Sequence, residues 1–70
     1  MDYNTYSRHM SYLLIQLDEC KSKIRYFRHY DANPPLTEIK RINEIDGWKK
    51  KMDLITSDIL DLRNTHPQFA

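Results

Sequence analysis

The sequence predicts an all-α fold, an antiparallel two-helix hairpin of coiled-coil type that makes one domain of residues 1–70. Three observations predict it. Apolar residues at 3, 6, 10, 13, 17, 20, 24 and 27 keep the seven-residue spacing of a packed helical seam. A second set at 39, 42, 45, 48, 52, 55, 59 and 62 follows the Pro34-Pro35 pair. If the chain folds back there, facing positions add to 65 or 66 throughout. Phe27 then meets Ile39, Ile24 meets Ile42, Cys20 meets Ile45, Leu17 meets Trp48, Leu13 meets Met52, and Tyr3 meets Leu62.

The first helix is expected over about 4–30, with Asn4 or Thr5 as its N-cap. No Gly or Pro interrupts residues 1–33. The turn is placed at 31–36, because a residue before proline is pushed out of the α region. The second helix is expected over about 37–63, capped by Asn33 or Thr37, with Glu38 favoured by the positive end of the helix dipole. Its seam opens with three successive steps of three, a stammer in the heptad pattern. Gly47 is expected to relax the helix there, leaving Trp48 to fill the space beside Leu17. The tail 64–70 is expected to be loose, with Phe69 folding back on the open end.

Size sets the energetic problem. Seventy residues bury a core worth only about 3–5 kcal/mol unless something staples it. One cysteine makes no internal disulfide, and no Cys/His cluster marks a metal site. Self-association or a partner is the expected source of further burial. Two such hairpins complete a four-helix bundle, so a homodimer is expected. No apolar run approaches a membrane span, and Met1-Asp2-Tyr3-Asn4 lacks the order of a secretory leader. A cytoplasmic protein without cofactor, metal or small-molecule substrate is the corresponding expectation.

The net charge of +1 gives no global field. Charge is nonetheless uneven. Residues 17–51 hold nine Lys/Arg against six Asp/Glu, while the last nineteen hold three Asp against Arg63 alone. Lys21, Arg25, Arg28, Lys40, Arg41, Lys49 and Lys50 form a candidate basic patch toward the turn, with Tyr26 and Tyr30 interleaved for stacking on bases.

Residues that bear chemistry read as structural. Cys20 falls on the seam, where a free cysteine behaves as a small hydrophobe. His9 and His66 come together near the open end without a third ligand in step, and His29 goes to the turn. Asp58 and Asp61 share a helix face with no nucleophile-and-base pair beside them. No catalytic constellation is expected.

The surplus apolar residues are the functional signal. Tyr12, Leu14, Ile15, Tyr26, Tyr30, Leu54 and Leu60 lie off the seam, and a two-helix hairpin has only one internal seam. They are the candidate interaction surface. Ser57-Asp58-Ile59-Leu60-Asp61 resembles the Ser-x-x-Leu-Asp motif of sporulation phosphatases of the aspartyl-phosphate type, although there it follows closely on the turn. Asn33-Pro34-Pro35-Leu36 resembles the turn of type III secretion needle subunits, and the hairpin length is similar to that of plasmid-copy-control RNA-binding hairpins. The matches span a few residues and assign no family. The function expected is that of a non-enzymatic protein–protein interaction module, a regulator, adaptor or inhibitor acting by docking or occlusion. The alternatives are an RNA- or DNA-binding hairpin dimer and a structural subunit of a helical assembly.

Overall fold

Asp2 opens the first helix. Its carboxylate Oδ1 accepts the Thr5 amide at 2.7 Å, and its carbonyl accepts the Tyr6 amide at 3.0 Å. The first satisfies one of the donors a helix start leaves orphaned, and the second is the first regular turn bond of the helix. The cap therefore lies two residues before the expected Asn4. In the computed structural model, which describes residues 1–29 and 38–69, α1 runs Tyr3–Arg28 and α2 runs Glu38–Thr65. A short 3-10 turn follows at Pro67–Phe69. The expected turn at 31–36, the caps Asn33 and Thr37, and Tyr30 lie outside the described residues.

The two helices pack along each other in a thin rod of 50 × 16 × 12 Å. No strand occurs among the described residues. From α1 the buried apolar side chains are Tyr6, Leu13, Cys20 and Ile24, and from α2 they are Ile55, Ile59 and Leu62. All but Ile24 form one cluster, against which Met10, Leu17, Trp48, Met52 and Phe69 pack half-buried. Heptad spacing explains the α1 set, since residues seven apart return to nearly the same face.

The seam fails at the start of α2. Ile39 is 72% exposed and Ile42 48% exposed, against the expected layers with Phe27 and Ile24. The cause is angular. Each three-residue step falls about 60° short of a full turn, so three in succession carry Ile39 roughly half-way round the helix from Trp48. Arg41, seven residues before Trp48, takes the place on the stripe. Its side chain is half-buried, with Nη1 3.6 Å from Glu38. Its Nε is shielded from solvent and has no hydrogen-bond acceptor among the described residues.

α2 continues through Gly47, and the space a Cβ would enter there is open, with nothing within 4 Å. One further expectation is corrected, for the tail is built rather than loose. Thr65 ends α2, the Phe69 amide donates to the His66 carbonyl at 3.1 Å, and the Phe69 ring closes the open end. It packs 5.7 Å edge-on from Tyr3 and 5.2 Å from Tyr6, with His66 stacked at 6.1 Å. Tyr3 thus stays exposed and meets Phe69, not the buried Leu62 of the expected layer.

Two measurements check this description. Gly47→Ala should stabilise the protein by about 0.5–1 kcal/mol, because alanine removes backbone freedom from the unfolded chain and meets open space in the folded one. A thermal midpoint raised by a few degrees is expected, and a lowered one would place a bend or a close neighbour at Gly47. The second concerns Asp2, whose hydrogen bonds from Thr5 hold its carboxyl below the ordinary value of 3.8. A depressed folded-state pKa stabilises fully above the ordinary value and is lost as pH falls through the lowered one. Helicity should therefore fade more on acidification in wild type than in Asp2→Asn, which keeps an acceptor and does not titrate.

Candidate functional site

A rod of two helices has two flanks, each a groove running beside the seam. On one flank the open-end half is a groove of about 400 Å³. Met10 and Leu14 of α1, Ile59 and Arg63 of α2, and Phe69 from the tail line it. Leu14 is 47% exposed. Leu60, three residues before Arg63 and so on the same side of α2, is 51% exposed. Among the described residues Arg63 is the one charged side chain that lines this groove.

Nearer the turn, a second groove of about 480 Å³ opens on the same side of α1. Lys21, Arg25 and Arg28 recur at i, i+4 and i+7 and so share the flank that Leu14, seven residues before Lys21, begins. Lys49 reaches the groove from α2, and Ile24 and Met52 supply its apolar part. His29 lines it too, in the position that caps α1, where its amide donates to the Arg25 carbonyl at 3.2 Å. Among the described residues no acidic side chain lines either groove.

The opposite flank has the other sign. A groove of about 380 Å³ brings His9 of α1 beside Asp58, Asp61 and His66. The two histidines do come together, as their sequence positions suggest. Among the described residues no group of three His, Cys, Asp or Glu side chains is placed to hold a metal ion. Nearer the turn, Lys51 caps the half-buried Trp48 ring at 5.0 Å, a cation–π contact beside Gly47.

The structure thus splits the candidate residues. Leu14 and Leu60 share one flank. Tyr12, three residues after His9, falls on the other, where its hydroxyl accepts from Gln16 Nε2 at 3.0 Å. Leu54, four residues before Asp58, belongs to that side too. Ile15 and Tyr26 are exposed on the outer surface of α1, roughly 100° or more round from Leu14. Of the basic set, Lys21, Arg25, Arg28 and Lys49 come together. Arg41 pairs with Glu38, and Lys40 and Lys50 are exposed away from the groove. Ser57, Asp58 and Asp61 are all exposed on α2. His29 and Phe69 are site residues that spacing alone missed. A histidine just after two arginines and an aromatic beyond a proline were the available signals.

Cys20 has no exposed surface. Its thiol lies in the middle of the seam, away from every groove described. No helix among the described residues is long and apolar enough to cross a membrane. No protein-family model matches the chain, and comparisons with curated proteins and with solved structures find no significant match.

Cys20 supplies a native probe of the seam. A disulfide-exchange reagent should label it only as fast as the helices part, so labelling should accelerate with denaturant in step with the loss of helicity. Immediate labelling under native conditions would mean that the thiol is open to solvent.

Proposed function

We propose that the chain is a non-enzymatic protein–protein interaction module that docks through one helical flank, and that its first partner is a second copy of itself. The observation that carries the proposal is the pair Leu14 and Leu60, half-exposed on the flank of the open end, where Arg63 is the one charged residue lining the groove among the described residues. Burying each of these side chains contributes about 1.5–3 kcal/mol. That gain is of the same order as the whole stability expected of so small a core.

Two hairpins laid together along this flank bury Leu14 and Leu60 from both copies and make four helices around a shared core. Overlap limited to the open-end halves keeps the two sets of Lys21, Arg25 and Arg28 apart. The opposite flank suits self-pairing less well, because like copies would juxtapose Asp58 and Asp61. A module of this shape acts by occlusion or scaffolding, as a regulator, adaptor or inhibitor. Its chemistry is the covering of a surface.

Sedimentation equilibrium at micromolar concentration tests the reading. Wild type should give twice the chain mass of 8.5 kDa. Leu14→Asp should weaken the dimer by about two orders of magnitude without loss of helicity. Ile15→Asp, on the outer surface of α1, should leave the mass unchanged. A wild-type monomer of ordinary stability, or a dimer indifferent to Leu14→Asp, would overturn the proposal. Open-ended growth with concentration would point instead to a filament subunit.

A further inference from the structure

The basic groove is not accounted for by self-pairing. Lys21, Arg25 and Arg28 stand at i, i+4 and i+7 on α1, with Lys49 facing them from α2. Among the described residues none of the four lies within ion-pair distance of a carboxylate. The negative end of the α1 dipole explains cations at Arg25 and Arg28, in its last turn. It explains neither Lys21, more than a turn earlier, nor Lys49 on the other helix. Between the four cations lie Ile24 and Met52, so the groove pairs a cationic rim with an apolar base.

We infer that this groove is a docking site for an acidic amphipathic helix of a protein partner, with carboxylates at i, i+4 and i+7 and an aliphatic side chain between them. A helix of that pattern has the same rise per residue as α1, so its carboxylates meet Lys21, Arg25 and Arg28 rung by rung. Arginine adds two-pronged hydrogen bonding to carboxylate. The aliphatic residue covers Ile24 and Met52, as in helix-in-groove recognition.

A nucleic acid fits less well. Four fixed cations neutralise about four phosphates, where duplex binders commonly use about 6–10. Among the described residues no Phe, Tyr or Trp lines the groove to stack a base, and a phosphate backbone brings nothing apolar to Ile24 and Met52. A second copy fits less well again at this groove, since it would set cations against cations. The site lies toward the turn from Leu14, so it stands independently of self-pairing.

Fluorescence anisotropy with the full chain tests the inference. The probe is a labelled synthetic helix of about five turns, carrying Glu at i, i+4 and i+7 with Leu between. It should bind in the micromolar range, and its Gln counterpart should bind about tenfold or more weakly. Arg25→Glu should cost about tenfold, and a probe with Lys in place of only the central Glu, the one that meets residue 25, should recover binding to that variant. Lys50→Glu, which removes an equal charge outside the groove, should change affinity by no more than about twofold. The inference is overturned if the Glu probe does not bind, or binds no better than its Gln counterpart. It is likewise overturned if Arg25→Glu and Lys50→Glu act alike, or if a single-stranded oligonucleotide of equal charge displaces the probe from the groove. Circular dichroism of each variant should match that of wild type, so that a loss of binding is not a loss of fold. The mass of Arg25→Glu in sedimentation reports self-association separately, so either proposal can fail alone.

Discussion

One stripe of contact holds the molecule together. Tyr6, Leu13, Cys20 and Ile24 on α1 and Ile55, Ile59 and Leu62 on α2 are buried apolar residues. Two helices share a single line of closest approach, so there is no second layer to bury anything else. Every other apolar residue must be half-covered at a flank or left in water. That geometric fact produces the exposed Leu14 and Leu60, the half-buried Met10 and Met52, and the open grooves on either side. The aromatic plug of Tyr3, Tyr6, His66 and Phe69 seals the open end, where the seam would otherwise meet solvent.

The flanks then differ by charge. Among the described residues, the charges lining the grooves on one side are Arg63 at the open end and Lys21, Arg25, Arg28 and Lys49 toward the turn, while Asp58 and Asp61 line a groove on the other. Apolar area supplies affinity, while the arrangement of charge selects partner and register. One cation at the open-end groove and four toward the turn are the basis on which self-pairing and docking of an acidic helix are proposed at different places along one edge.

Much of the fold was legible because α1 keeps strict seven-residue spacing from Tyr6 to Phe27. At the start of α2 the same reading failed, since a chain of three-residue steps looks continuous on paper and yet winds away from the seam. Counting back seven from Trp48 reaches Arg41, a residue whose charge hid its place on the stripe. Asp2, Asn4 and Thr5 are all cap-forming residue types within one turn, and the hydrogen bond from the Thr5 amide is what selects Asp2. Phe69 was expected to fold back, and its role as a plug required the 3-10 turn that places it. At the candidate site the surplus residues Leu14, Ile15, Leu54 and Leu60 were correctly read as lying off the seam. Which of them share a flank depends on the rotational phase of each helix against its partner, and only the packed seam fixes that phase.

The account depends most on α1 and α2 lying against each other through these side chains. Nuclear Overhauser contacts between methyl and ring protons test it directly. Cross-peaks should link Leu13 and Tyr6 of α1 to the methyl groups of Ile55, Ile59 and Leu62 of α2, and the Tyr6 ring to Phe69. Spectra with helical signals in both segments but only intrahelical contacts would contradict it.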